Sequence, residues 1–166
     1  FDGARFVTAS FAAEETVYLI HAIQDADRFF DQRKYAEAVT AYQAAVASTS
    51  LRDWKTETNG APPAGQRSGR QQLVGYALFR VAVAEAAQGK DPTRAIDAAI
   101  VQGEEPLFQN AAQTFRHGYQ ERGEVHGGCL EATRYLTTDP APAYIAGMFD
   151  YGTGNPRVNA TGICPL

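Results

Sequence analysis

The residues with the clearest chemical potential are two cysteines, Cys129 and Cys164, and the histidines close to the first of them. Cys129 falls within a helical pattern, whereas Cys164 lies in a glycine-containing tail with no other obvious anchor. A bond between the two sulfurs closes a long loop and removes roughly 4 kcal/mol of unfolded-state entropy in the chain-entropy treatment. We therefore predict a Cys129–Cys164 disulfide, which places the protein outside the reducing cytosol.

Two other uses of these sulfurs compete with the disulfide. His126, Cys129 and Cys164, with His117, could hold a metal ion, although His126 and Cys129 form a single ligand pair where zinc sites usually have two. Alternatively, a free thiol with His126 as its base could act as a nucleophile. Either alternative makes the protein a metal-dependent or thiol enzyme. We favour the disulfide, with no metal, no cofactor and no catalytic residue.

Other short motifs indicate little catalytic chemistry. Asn159-Ala160-Thr161 is an acceptor pattern for an N-linked glycan, meaningful outside the cytosol. The carboxylate pairs Glu14-Glu15 and Glu104-Glu105 fall at predicted helix starts, where the helix dipole and solvation explain them. Gly152-Thr153-Gly154 lacks the preceding strand and following helix that a phosphate-binding loop needs.

Composition restricts the possible classes of protein. A chain of 166 residues with 45% hydrophobic and 20% charged residues can bury a single core. Its net charge of −4 offers no basic stripe for nucleic acid. No apolar run approaches the roughly 18 residues that a membrane span needs, and no signal segment is recognised. We predict a protein without a membrane span or a nucleic-acid partner.

The strongest periodicity lies between residues 22 and 46 and predicts two antiparallel helices, Ala13 to Asp31 and Tyr35 to about Ser48. Small and aromatic residues recur at the same offsets in both: Ala22, Ala26, Phe29 and Phe30, then Ala38, Tyr42, Ala45 and Val46. Val17, Ile20 and Ile23 extend the first apolar face. Further helices are predicted over residues 71–88, 93–101, 106–122 and 128–136, with a short one after Pro140.

The residues Ala26, Phe29, Tyr35, Ala38, Tyr42 and Ala45, in the context ADRFFDQRKYAEAVTAYQAAVAS, resemble the tetratricopeptide repeat. AVAEAAQGKDPTRAIDAAI looks like a second, degenerate copy. The resemblance implies an all-α fold of about three antiparallel helical hairpins, stacked as a short superhelix. It also implies a scaffold that binds other proteins and carries out no chemistry.

The expected organisation has three parts. An N-terminal arm, residues 1–12, is followed by a helical domain, residues 13–149, with a long loop at 51–70, and by a tail, residues 150–166, attached by the disulfide. The arm carries four apolar side chains that we predict as a protein interface: Phe1, Phe6, Val7 and Phe11.

These features predict a non-enzymatic protein that acts by protein-protein association in an extracellular, cell-surface or periplasmic location. The favoured form is a homo-oligomer or open fibre, because a head-to-tail contact that does not close on itself propagates. Covalent glycans are an expected addition at Asn159. The alternative is a monomeric adaptor that holds a peptide or protein partner in a tetratricopeptide-like groove.

Overall fold

The computed structural model describes residues 16–150 and 158–165, and within them the protein is all-α. Eight α-helices and a 3₁₀ turn (η1) make up the regular structure, and these ranges contain no strand. The elements are α1 (Leu19–Asp31), α2 (Tyr35–Ala47), α3 (Trp54–Asn59), α4 (Gly69–Ala87), α5 (Thr93–Val101), α6 (Pro106–Arg122), α7 (Val125–Leu136), α8 (Ala141–Met148) and η1 (Ala160–Gly162). The all-α fold class is confirmed, whereas its grouping into repeats stays a prediction.

The first helix begins at Leu19, so the predicted start at Ala13 is wrong. Its N-cap, Tyr18, has extended backbone angles (φ −108°, ψ 140°). Backbone hydrogen bonds hold this stretch beside a second segment: Leu19 N donates to Arg52 O (3.0 Å), and Arg52 N donates to Val17 O (2.9 Å). Val17 therefore lies outside the helix and is 45% exposed, contrary to the prediction that it extends the apolar face.

Small and aromatic residues do lie between α1 and α2, as their spacing predicted. Ala26, Ala38 and Ala45 are buried, which lets the two helices approach closely. At the turn between the helices the Phe30 ring meets the Tyr35 ring edge-on, with centroids 5.2 Å apart. The predicted start of α2 at Tyr35 is confirmed.

The segment 51–70 is not the structureless loop that we predicted, because it contains α3 and the start of α4. One carboxylate serves both helix starts: Asp53 Oδ1 accepts from Lys55 N (3.0 Å) and Asp53 Oδ2 accepts from Arg70 N (3.0 Å). Ser68 and Gln71 add a capping box at the start of α4. These caps satisfy backbone N–H groups that would otherwise lack partners.

The centre of the fold is α4. Every residue from Tyr76 to Ala84 is buried, because α4 contacts α1, α2, α5 and α6. A helix with neighbours on all sides is apolar all round and has no single stripe. The exception in this stretch is a charged residue, Arg80, which is only 2% exposed.

Helix α7 begins at Val125 and not at the predicted Gly128, and its glycines lie where α7 packs closely on α6. A Cβ atom at Gly118 would lie 2.3 Å from the Gly127 carbonyl oxygen, and one at Gly128 would lie 2.7 Å from the Phe115 ring. The glycines in α7 are therefore required by helix contact and do not mark its beginning.

Candidate functional site

The buried Arg80 guanidinium connects three helices to the tail. Its Nε donates to Tyr42 Oη (3.1 Å), and its Nη1 donates to the carbonyl oxygens of Gly162 (3.1 Å) and Ile163 (2.8 Å). Its Nη2 lies 3.4 Å from Asp27 Oδ1. Residues from α1, α2, α4 and the end of η1 therefore meet at one charge.

Aromatic side chains complete this cluster, which we call the Arg80 network (Asp27, Tyr42, Tyr76 and Arg80). The guanidinium carbon lies 3.5 Å from the centroid of the Phe30 ring, in cation-π geometry. Tyr76 Oη donates to Asp27 Oδ1 (2.8 Å), and Tyr42 Oη donates to the same oxygen. The network is thus hydrogen-bonded on every side, as a buried charge requires.

Protonation in the network follows from burial. Burial raises the pKa of Asp27 above its ordinary value, against the opposing effects of Arg80 and the two tyrosine hydroxyls. Burial also raises the pKa of Tyr42 and of Tyr76 well above the usual range, so both hydroxyls keep their protons and act as donors. The cavity beside Asp27 measures only about 80 Å³, too small for a typical ligand. The arrangement joins α1, α2, α4 and the end of η1.

The predicted disulfide is present and anchors the tail at a second point. Cys129 in α7 is bonded to Cys164, with 5.2 Å between their Cα atoms. Both cysteines and the adjacent Ile163 are buried. Because the two sulfurs are bonded to each other, neither serves as a thiolate ligand or a nucleophile in this form of the protein.

The histidines considered as metal ligands do not gather around these sulfurs. His117 Nε2 lies 3.3 Å from Glu121 Oε1 on the surface of α6, and His126 is exposed. No group of three or more metal-ligating side chains occurs in the part of the chain that the structure describes.

An open cleft of about 440 Å³ lies where the start of α6, the end of α7 and the start of α8 come together. We call it the α6–α8 cleft. It is lined by Arg67, Glu105, Pro106, Leu107, Asn110, Tyr135, Thr138, Asp139, Pro140, Ala141 and Tyr144. Its size falls within the roughly 300 to 1,000 Å³ typical of ligand pockets.

A buried carboxylate organises one side of this cleft. Glu105 is 2% exposed; its Oε1 accepts from Leu107 N (3.1 Å) as the N-cap of α6, and its Oε2 accepts from Tyr144 Oη (2.8 Å). Gln72 Nε2 donates to Tyr144 Oη (3.0 Å). Burial raises the pKa of Tyr144, and its hydrogen bond to Glu105 raises that pKa further. Glu105 does open a helix as predicted, but it is buried and not solvated.

A second surface feature is an open groove of about 450 Å³ on the outer side of the first two helices. We call it the α1–α2 groove. It is lined by Phe29, Ala36, Glu37, Thr40, Ala41 and Ala44. Almost all of this surface is apolar, with Glu37 as its single charged residue.

Several predicted site residues lie outside the described ranges. These include the whole proposed interface (Phe1, Phe6, Val7 and Phe11) and the Gly152-Thr153-Gly154 motif. Asn159 is described: it is exposed, and its Oδ1 accepts from Thr161 Oγ1 (2.8 Å) and Gly162 N (2.7 Å). Its glycosylation stays a prediction.

Sequence reasoning missed the Arg80 network and the α6–α8 cleft. A signal for the first was available, because Arg80 is the single charged residue in the apolar run from Leu73 to Ala84. Such a residue needs a buried acceptor. The cleft has no comparable signal, since its lining comes from segments far apart in the chain.

In comparisons with known proteins, no family model, no curated protein and no solved structure matches the chain. Among the helices of the described residues, none combines the length and the apolar character that a membrane crossing requires.

Proposed function

We propose that this chain is a non-enzymatic protein that works outside the reducing cytosol by protein-protein association, mainly with copies of itself. The observation that carries the proposal is the α1–α2 groove, an exposed apolar surface that has no cover in the described part of the chain. Exposed apolar patches of this kind usually mark contact surfaces. In this proposal the N-terminal arm of one copy lies in the groove of the next.

The disulfide supports the location. Disulfides form and persist in oxidising compartments and are rare in the cytosol. Cys129 and Cys164 are both buried within the core, which fits a permanent structural bond. An extracellular, cell-surface or periplasmic location follows as part of the proposal, together with a glycan on the exposed Asn159 where the organism adds one.

The position of residues 16–18 supports the choice of partner. Residues 16–18 lie beside residues 50–52, through the bridge between Tyr18 and Arg52. Residues 50–52 follow the end of α2 at Ala47, and the groove extends along α2 as far as Ala44. Residues 16–18 therefore lie close to one end of the apolar groove.

Composition of the arm matches the groove. The rings of Phe1, Phe6 and Phe11 suit its apolar alanine-lined surface, and Arg5 supplies a positive charge for Glu37. The twelve residues of the arm span at most about 40 Å when extended, so the arm can reach a neighbouring copy. A contact of this type is heterologous and extends into a filament unless it closes as a ring.

The tetratricopeptide-like arrangement belongs to the same proposal. The close packing of α1 on α2 and of α6 on α7, each across a short turn, supports a stack of helical pairs. An open stack leaves apolar helix faces at its ends that caps or neighbouring copies must cover.

Mixing of two variants, each with one cysteine added to the native Cys129–Cys164 pair, tests the proposal. Phe11→Cys in one preparation and Ala44→Cys in another are combined under mild oxidation and analysed on a non-reducing gel. We expect a disulfide-linked dimer, because the arm of one copy lies against the groove of another. Lys90→Cys, at an exposed site on a different turn, replaces Ala44→Cys as the matched control and should give far less dimer.

Light scattering over a concentration series provides the independent measurement. The unaltered chain should form particles larger than the 18.0 kDa monomer, and Ala41→Glu, which places a charge in the groove, should reduce them. A constant monomer mass at high concentration would overturn self-association. So would a Phe11→Cys/Ala44→Cys double variant that forms the new disulfide only within single chains.

A further inference from the structure

We propose that the α6–α8 cleft is a binding site for an extended, proline-rich peptide that carries a basic residue. The proposal is independent of self-association, because the α1–α2 groove and this cleft share no residue. Its basis is the combination of flat apolar walls, fixed hydrogen-bond donors and an unpaired carboxylate in one open space.

The walls of the cleft suit proline rings. Tyr135 and Tyr144 contribute aromatic surface, and Pro106, Pro140 and Leu107 contribute aliphatic surface. Tyr144 is 40% exposed although its hydroxyl is tied to Glu105, so its ring stays in place while facing solvent. Rigid aromatic side chains provide contact area at a small cost in conformational entropy.

The polar groups of the cleft suit a peptide in the polyproline II conformation. Asn110 Nδ2 donates to Tyr135 Oη (3.1 Å), which orients that hydroxyl and leaves its own proton without an acceptor among the described residues. Arg67 uses its Nε to bind the Glu104 carbonyl oxygen, and its Nη groups remain as donors. A polyproline II chain presents carbonyl oxygens that make no internal hydrogen bonds, and its prolines lack N–H groups. Such a ligand needs donors, which is what the cleft supplies.

Charge selects the basic residue. Three carboxylates lie in or beside the cleft, Glu104, Glu105 and Asp139, against the single cation Arg67. Glu105 is hydrogen-bonded to Leu107 N and Tyr144 Oη, and Glu104 accepts from Gln71 Nε2. Asp139 has no ion-pair partner in the described part of the chain. An arginine or lysine of the ligand would pair with it, and electrostatic complementarity of this kind sets specificity.

A carbohydrate is the main competing ligand, because sugars also stack on tyrosine rings. Sugars, however, carry hydroxyl groups around the whole ring, and each hydroxyl that is buried without a partner costs free energy. The lining of this cleft is mostly apolar, so a peptide of apolar rings fits it better. Binding of an oligosaccharide in the cleft would therefore contradict the proposal.

Fluorescence anisotropy of a labelled peptide tests the proposal on the full chain. The probe is a heptapeptide with arginine at its centre and proline at the other positions. Two further peptides, heptaproline and a glycine-serine peptide with the same central arginine, serve as comparisons. We expect the arginine-proline peptide to bind most tightly, heptaproline more weakly and the glycine-serine peptide weakest.

Matched variants connect binding to the cleft. Tyr135→Phe removes one donor and should weaken binding about three- to tenfold. Tyr119→Phe, on α6 and not in the lining of the cleft, should have no effect. Asp139→Asn should weaken binding of the arginine-proline peptide but not of heptaproline. Equal binding of all three peptides, unchanged binding by Tyr135→Phe, or displacement of the probe by an oligosaccharide such as maltoheptaose would overturn the assignment. Because these measurements do not depend on particle size, failure here leaves self-association to its own test.

Discussion

Two regions of this protein are built from the same chemical parts and have different surroundings. In the Arg80 network, Asp27 accepts from Tyr42 and Tyr76 and faces an arginine that is 2% exposed. At the α6–α8 cleft, Glu105 accepts from Tyr144, whose ring is 40% exposed, and the arginine beside it, Arg67, lies on the surface. Each region thus combines a carboxylate, tyrosine hydroxyls and a guanidinium.

The two regions differ in whether their other hydrogen-bond donors have partners within the protein or face solvent. Arg80 spends its donors on Tyr42 and on the carbonyl oxygens of Gly162 and Ile163, so the network is complete without any ligand. Arg67 and Tyr135 keep donors that face solvent. A satisfied polar cluster in a core fixes one packing arrangement, whereas an unsatisfied one at a surface can select a partner. The comparison predicts large stability effects in the first region and small ones in the second.

The largest difference in unfolding free energy should be between variants of the two arginines. Arg80→Met should lower the free energy of unfolding by about 3 to 5 kcal/mol, because it leaves the Asp27 carboxylate, whose side chain is only 16% exposed, without its cation. Arg67→Met, at an exposed site, should change it by no more than about 0.5 kcal/mol. Urea denaturation monitored by circular dichroism measures both. A loss below about 1 kcal/mol for Arg80→Met would contradict a stabilising role for the network.

A double variant distinguishes the stability lost with the positive charge from the stability lost with the other contacts of Arg80. Arg80→Met combined with Asp27→Leu removes both partners of the Arg80–Asp27 pair and leaves only the exposed Asp31, which lies 3.6 Å from Arg80 Nη2. Substitution of a buried pair by apolar residues is often neutral or stabilising. The double variant should therefore recover much of the stability lost by Arg80→Met alone. A double variant less stable than the single one would show that hydrogen bonds from Arg80 to the tail dominate over its contact with Asp27.

A smaller difference in unfolding free energy is expected between variants that each lose one tyrosine hydroxyl. Tyr76→Phe removes a donor to the buried Asp27 carboxylate and should cost about 1 to 3 kcal/mol. Tyr144→Phe removes a donor to Glu105, but the open cleft beside the 40% exposed Tyr144 gives water room to replace the lost hydroxyl, so the cost should be smaller, about 0.5 to 1.5 kcal/mol. Thermal and urea unfolding of the two matched variants compare them directly. Equal losses would mean that the cleft side of Glu105 is as closed as the core.

Local patterns predicted much of the helical content, and the disulfide was predictable too. The small and aromatic spacing around Ala26, Ala38 and Tyr42 identified the packed faces of α1 and α2, because each face has one neighbour and one periodicity. For Cys129 and Cys164 the decisive fact was that the tail contains little else to hold it.

What could not be predicted depends on contacts between distant segments. The start of α1 is set by hydrogen bonds to Arg52, which no pattern near Leu19 reveals. Ser68 and Gln71 did carry a capping-box signal for α4, which the glycines and prolines around them obscured. The cleft joins Arg67 to Tyr135 and Tyr144, and such a grouping appears only once the chain is folded.

The smallest effect concerns pH. It tests whether burial or attraction to Arg80 has the larger influence on the pKa of Asp27. Burial raises the pKa of Asp27 above its ordinary value of 3.8 in the folded protein. Between the unfolded and folded pKa values the folded state therefore binds more protons than the unfolded state. The free energy of unfolding contributed by Asp27 should then fall as pH rises through this window and stay constant above it.

Asp27→Asn isolates this contribution, because asparagine keeps the shape and hydrogen-bonding capacity of the side chain and does not titrate. The difference in unfolding free energy between the unaltered protein and the variant should favour the unaltered protein most in acid and decline as pH rises. Other carboxylates, such as Asp91, whose hydrogen bonds to Thr93 lower its pKa, affect both proteins equally and cancel in the difference. A difference that grows with pH would mean that attraction to Arg80 outweighs burial. Ion pairing would then stabilise the Arg80 network more than exclusion of water does. The two regions would differ in stability chiefly because only the network contains a close ion pair.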